Sequence, residues 1–191
     1  AMPLEGNGRR QRFVDRALLY LFSYDVELNA DEENLGFVPG GVRTNVRCLP
    51  NRSRIYHLLR EPLIGDPGGL PVNGTITWGK DTAVMREDDT ANGLIRLIIE
   101  TTDGAHILSE YAGIFAMGPG GYHEVIRRKG PDDEVGRVGQ PRDARIVVLV
   151  RYETSDPRYD WLTQHQCIGY GRVSIVRGLL RRVTYDIYAM D

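Results

Sequence analysis

Two groups of side chains in this chain have the types and spacing for acid–base chemistry. The first surrounds a turn. Arg96, Ile98 and Glu100 alternate with Ile95, Leu97, Ile99 and Thr101; beyond Asp103-Gly104, His106, Leu108, Glu110 and Ala112 alternate with Ile107, Ser109 and Tyr111. Residues two apart share a face of a strand, so Arg96, Glu100, His106 and Glu110 converge on one side of a two-stranded ribbon. There they can act as a carboxylate–imidazole set that moves a proton, with Arg96 holding a developing anion. They can equally be cross-strand ion pairs on a wet outer surface.

The second group is Arg151, Glu153, Arg158, Tyr159 and Trp161, with His165 nearby. A carboxylate held near two arginines has its pKa lowered, which suits an ion pair better than a general base. The group can be a structural clasp before Trp161 or a site. Tyr159 and Trp161, with Trp78, are candidate walls for a flat apolar ligand, or plugs of the core. Gly169 and Gly171 lie two apart and leave one face of their strand bare. That bare stripe lets a barrel bend sharply or lets a bulky group approach the backbone.

Other chemistries lack their patterns. The histidines His57, His106, His123 and His165 are scattered without HxH, HExxH or CxxC spacing, so no metal site is expected. Gly118-Pro119-Gly120-Gly121 lacks the Lys-Ser/Thr of a phosphate loop, and no Gly-x-Ser-x-Gly elbow occurs. Cys48 and Cys167 are far apart and read as buried thiols of a reducing compartment rather than a disulfide, so a cytoplasmic protein is expected. The 191 residues are 41% hydrophobic and 26% charged, with a net charge of -2, which argues against a basic nucleic-acid surface. No apolar run reaches the ~20 residues a membrane helix needs.

These groups must be positioned by strands. Residues 1–15 read as a flexible tail, with Ala1 a cloning remnant ahead of Met2. Residues 16–191 read as one antiparallel β-barrel domain, all-β with one short helix at Gly121 to Lys129. Arg16 to Leu28 carries an apolar stripe at even positions, and its other face is also apolar at Leu19 and Leu21, which calls for a second cover such as a dimer partner. Turn residues at Pro39-Gly40-Gly41, Asp66-Pro67-Gly68-Gly69, Asn73-Gly74, Asn92-Gly93 and Asp103-Gly104 separate short β-type runs. The runs are Val42 to Cys48, Val72 to Trp78, Leu94 to Thr101 and Ala105 to Ala112. Ala144 to Glu153, Gln166 to Val176 and Arg181 to Ala189 follow the charged loop Pro131 to Arg142.

Tyr152-Glu153-Thr154, then Pro157-Arg158-Tyr159-x-Trp161-Leu162, then Ile168-Gly169-x-Gly171, resembles the domain-of-unknown-function 3237 family of small barrel proteins. Asn73-Gly74, Thr101-Thr102-Asp103-Gly104-Ala105 and Tyr188 to Met190 agree with it, so the resemblance runs from about Leu18 to the end. It implies a closed or nearly closed antiparallel barrel, often oligomeric, and brings no settled reaction. Two positions depart from the pattern. Thr163 stands where the family has Asn, and the Gly-Gly-x-Asp-Trp turn is shortened to Trp78-Gly79-Lys80-Asp81.

The expectation is therefore a cofactor-free isomerase, cyclase or lyase. Its substrate is a hydrophobic, oxygenated small molecule, such as a polyketide- or terpene-like intermediate of secondary metabolism, held in a barrel pocket. Glu100 or Glu153 would be the acid/base, Arg96 or Arg151 the oxyanion partner, and His106 an accessory. Tyr159, Trp161, Trp78, Gly169, Gly171 and Glu110 would line the ligand. The alternatives are a non-catalytic binding barrel and a structural homo-oligomer.

Overall fold

The computed structural model describes residues 18–29, 33–57, 71–127, 142–176 and 179–190. Ten strands alternate apolar and polar residues at period two, the pattern of a sheet with one face buried. They are β1 (Leu19–Glu27), β2 (Glu33–Val38), β3 (Gly41–Arg47), β4 (Arg54–Tyr56), β5 (Gly74–Met85), β6 (Thr90–Thr101), β7 (His106–Ala116), β8 (Arg142–Glu153), β9 (Gln166–Val176) and β10 (Leu179–Met190). All pairings are antiparallel, and β5–β6 closes the ring. The result is a closed barrel of eight staves. One stave is split: β3 pairs the far half of β5 while β4 bridges β1 to its near half. A Leu28–Cys48 bridge joins the two ends.

The tight turn at Asp103-Gly104 is as expected, and Gly104 has the left-handed φ of +86° that favours glycine there. The helix is α1 (Gly121–Arg127), and the last two positions of the expected helix, 128 and 129, lie outside the described residues. Asp89 receives the Gly120 and Tyr122 backbone N–H groups at 2.9 and 3.0 Å, which fixes its start. None of the described helices is long and apolar enough to cross a membrane. The loop expected from Pro131 to Arg142 and the turn at Asp66 to Gly69 lie outside the described residues, apart from Arg142.

Three expectations need correction. Asn92-Gly93 is not a turn but lies inside β6, and Trp78-Gly79-Lys80-Asp81 is not a turn but the middle of β5. Both glycines face inward, where a Cβ would collide with packed side chains. At Gly93 it would come within 2.1 Å of the Phe115 ring, and at Gly79 within 2.5 Å of Leu97 and 2.7 Å of the Cys48 sulfur. These glycines make room rather than punctuate. The third correction concerns β1: Leu21 sits at a bulge and is 1% exposed, and Leu19 packs on the core, so the chain itself covers the face assigned to a partner.

Candidate active site

The residues singled out from sequence stand mostly on the outside of the barrel. Arg96, Glu100, His106, Arg151 and Glu153 are exposed, Glu110 is half-buried, and Trp78 is 48% exposed on the outer face of β5. Cross-strand register brings Arg96, Glu110 and Arg151 into one row, with Arg96 Nε 2.5 Å from a Glu110 carboxylate oxygen. Glu100 faces His106 separately, and Glu153 pairs with Leu108 on β7. The row carries the Arg96–Glu110 ion pair on the wet outer face, and the five charged or imidazole groups expected to be catalytic are not enclosed together.

Around Tyr159 the geometry is that of a clasp. β8 leads into a 3₁₀ turn (Pro157–Tyr159) and the short helix α2 (Asp160–Thr163). Asp156 caps the turn by accepting the Arg158 N–H at 3.0 Å. Arg158 donates to Asp156 at 2.7 Å and across to Asp103 at 2.8 Å, while the Tyr159 hydroxyl donates to both Asp103 oxygens at 3.0 Å. The hydrogen bonds from Arg158 hold the Asp156 carboxyl down to about 2, and the Thr101 hydroxyl, then Tyr159 and Arg158, lower that of Asp103. Tyr159 is 2% exposed, Trp161 packs on the core, and His165 Nδ1 lies 2.7 Å from the Trp161 carbonyl oxygen. Together they seal one end of the barrel.

Gly169 and Gly171 face inward, and the bulky group that approaches them belongs to the chain. A Cβ on Gly171 would lie 2.7 Å from the Tyr185 ring and 2.1 Å from the Thr184 carbonyl oxygen; one on Gly169 would lie 2.7 Å from Val148. Tyr185 thus lies against the bare strand. It belongs to a set of buried inward tyrosines, Tyr24, Tyr111, Tyr152 and Tyr185, packed edge to face or tilted. The Tyr111–Tyr185 centroids are 5.4 Å apart, and Phe22 meets Tyr152 at 5.8 Å. The Tyr24 hydroxyl lies 3.1 Å from the hydroxyls of both Ser109 and Tyr152, joining the three in one hydrogen-bonded set.

The same interior holds a carboxylate, Asp81, that no motif in the sequence marks. On β5, Gly79, Asp81, Ala83 and Met85 share the inner face, so Asp81 points into the barrel and is 3% exposed. Its charge bears on Cys48, Tyr111 and Tyr185. Burial first, and the Asp81 charge next, push the Cys48 thiol up to about 12 and raise the Tyr185 phenol well above its ordinary value. Tyr111 rises likewise, chiefly by burial. Both phenols therefore stay protonated and able to donate. Thr44, on β3 opposite Ala83, is 1% exposed, and its hydroxyl oxygen has no hydrogen-bond partner among the described residues.

One step further along the inner face of β5 an apolar cavity of about 10 Å³ opens, the space of about one water molecule. Ala83, Met85, Ala91, Phe115, Met117 and Ala144 surround most of it. Around it the inward side chains of the described residues pack into one core. The legible signal for Asp81 was an acidic residue in the small and apolar phase of a strand, hidden because Trp-Gly-Lys-Asp reads as a turn. Among the described residues no group of three His, Cys, Asp or Glu is arranged to hold a metal ion.

Comparison with known proteins places this geometry among relatives. The family model "Protein of unknown function (DUF3237)" matches residues 21–190. A UPF0311 protein of Rhodopseudomonas palustris is 29% identical over 109 residues, 55% of this chain and 64% of the relative; the chain thus matches slightly less than two thirds of that relative's length. Two solved structures share the fold. One is a conserved protein of unknown function from R. palustris, with TM-score 0.67 and 21% identity, covering 91% of this chain and 97% of the other. The second is described as an enzyme from Penicillium herquei, with TM-score 0.54 and 17% identity, covering 90% and 94%.

Proposed function

The chain belongs to the DUF3237 family of proteins of unknown function, and we propose that this member is a small-molecule enzyme that moves a proton on an apolar, oxygenated substrate at Asp81. The observation that carries the reading is a carboxylate inside a barrel, one step from an apolar cavity, with its charge felt by the buried phenols Tyr111 and Tyr185. A carboxylate taken out of water is costly to a fold, and such groups gather at functional sites. The description of a distant structural neighbour as an enzyme supports the same direction.

In this reading the substrate enters through the barrel end lined by Met85, Met117 and Phe115. The two unbranched thioether chains turn aside at little cost to make room. Asp81 takes a proton from a carbon beside a carbonyl. The C–H bond breaks, an O–H bond forms on Asp81, and the electron pair moves to the carbonyl oxygen. A Tyr111 or Tyr185 hydroxyl donates to that enolate oxygen, and return of the proton at another atom completes an isomerisation or prepares a ring closure. The steps as drawn need no cofactor. One observation favours a non-catalytic barrel instead: the lumen has almost no free volume.

Deuterium uptake separates the two. A series of linear and cyclic 1,3-diketones is incubated in D₂O and exchange at the acidic carbon followed by mass spectrometry. The chain is expected to accelerate exchange on at least one of them, and Asp81→Asn to lose about a hundredfold or more of that rate. A wild-type rate equal to buffer across the series, or an undiminished rate in Asp81→Asn, would overturn the assignment.

A further inference from the structure

The inner wall holds a hydroxyl that the fold does not use. On β3, Val42, Thr44 and Val46 are 0%, 1% and 1% exposed and share the inward face. Directly opposite them on β5 stand Met85, Ala83 and Asp81, in that order. Side chains of directly opposite residues lie on the same face. Thr44 therefore meets Ala83 of the cavity wall and has Met85 and Asp81 as its two diagonal neighbours, each at about 7–8 Å. It stands between the cavity and the carboxylate, and its hydroxyl oxygen has no hydrogen-bond partner among the described residues.

Neither packing nor strand propensity calls for that oxygen. Valine has the same branched shape, suits a strand as well, and carries no group to desolvate. A buried hydroxyl without a partner costs its full desolvation penalty. A trapped water would not remove that cost. It needs about two to four polar partners, and the cavity beside Thr44 is walled by apolar side chains alone. The oxygen is thus placed to meet a polar group that arrives with a ligand.

We propose that Thr44 is a substrate-binding residue, and that its hydroxyl donates to a second carbonyl oxygen of a β-dicarbonyl substrate. The proposal rests on the reading of Asp81 as the base and extends it to the class of the substrate. A carboxylate is a weak base, and the C–H beside a single carbonyl is a far weaker acid than a carboxylic acid. A second carbonyl on the same carbon narrows that gap, because the electron pair left behind is shared by two oxygens. When Asp81 takes the proton, the C–H bond breaks, an O–H bond forms on Asp81, and charge develops on both oxygens. One meets the Tyr111 or Tyr185 phenol, and the other meets Thr44 on β3. The apolar remainder of the substrate lies toward Met85, Phe115 and Met117.

Binding and turnover are read separately. Benzoylacetone is titrated into the full chain by calorimetry, beside butyrophenone, which has the same carbon skeleton and one carbonyl fewer. The wild type is expected to bind the diketone about tenfold or more tightly. Thr44→Val should erase most of that preference and Thr44→Ser should keep it. Asp81→Asn should keep it too, while losing deuterium exchange on benzoylacetone. Without ligand, Thr44→Val should melt about 2–4 °C higher, since an unused hydroxyl has gone. Equal affinity of the wild type for the two probes, no diketone binding up to millimolar concentration, or a preference untouched in Thr44→Val would each overturn the proposal. So would a lower melting temperature in Thr44→Val, the mark of a hydroxyl already satisfied inside the fold. Loss of the preference in Thr44→Val, with wild-type exchange no faster than buffer, would support Thr44 as a carbonyl-binding residue and overturn only Asp81 as the base.

Discussion

Strands β8, β9 and β10 present two walls built from neighbouring residues, and the two obey different rules. On the inner wall Val148, Gly169, Gly171 and Tyr185 interlock so closely that a single added carbon at either glycine meets a ring, a methyl group or a backbone oxygen. On the outer wall Val147, Tyr170, Arg145 and Arg172 project toward solvent. Volume near a barrel axis is scarce, and Tyr185 and Phe115 each stand against a glycine of a neighbouring strand. Outside, packing demands little, so the exposed row through Val147 and Tyr170 answers to what meets it from solvent. Residue identity inside thus reports on packing first, and outside on partners first.

The contrast can be broken by mutation. Tyr185→Ala should cost the most, about 3–5 kcal/mol of unfolding free energy, because it empties the space against Gly169 and Gly171. Tyr170→Ala, a neighbour in the adjacent strand, should change stability by about 0.5 kcal/mol or less. Denaturant titrations of the two variants that agree within error would abolish the distinction between walls.

An intermediate effect is expected where the outside is locally dry. Asp25 lies on the outer face of β1 yet is only 5% exposed, and Arg182 holds it through both guanidinium donors, one at 2.6 Å. Arg54, at 3.6 Å, is a weaker second partner. Arg182→Ala should therefore cost about 1–3 kcal/mol, the penalty of a buried acceptor losing its donor. Arg96→Ala, which breaks the solvent-exposed pair with Glu110, should cost less than about 1 kcal/mol. Equal losses in thermal melts would show that burial of the carboxylate is not what matters.

The smallest effect is a local one with pH. Asp103 and Asp156 titrate below their ordinary value in the folded clasp, so their contribution is full above the unfolded carboxyl pKa near 4. It is lost as pH falls through the folded values toward about 2. Trp161 emission should shift between pH 4 and 2 as the clasp loosens, before the inner wall unfolds. A shift that occurs only with global unfolding would mean that the clasp adds nothing of its own.

The parts of the fold carried by local pattern could be read from sequence, and those that depend on closure could not. The β6–β7 hairpin follows from strict alternation around a left-handed glycine. The second of the two expectations for Arg96, Glu100, His106 and Glu110, a wet outer face, follows from the same alternation. Gly79 and Gly93 misled because glycine serves both turns and tight packing, and only the positions of Leu97, Cys48 and Phe115 distinguish them. Asp81 was invisible as a site because Tyr111 and Tyr185 reach it only when the ring of strands closes. The same holds for Arg145 and Arg172, which are 27 positions apart and become neighbours only through β8–β9 register.

The two cysteines carry a practical consequence. Cys48 and Cys167 both face inward, fully walled in, with burial pushing each thiol up to about 12. At neutral pH neither offers a reactive thiolate to a labelling reagent while the barrel is shut. Covalent modification must wait for an opening event, so the rate at which each sulfur is tagged is a stopwatch on the wall around it. Cys48 times the split stave beside Asp81, and Cys167 times the strand against which Tyr185 packs. A single native chain thus reports, without any engineered probe, whether its barrel breathes at the seam or only comes apart as a whole.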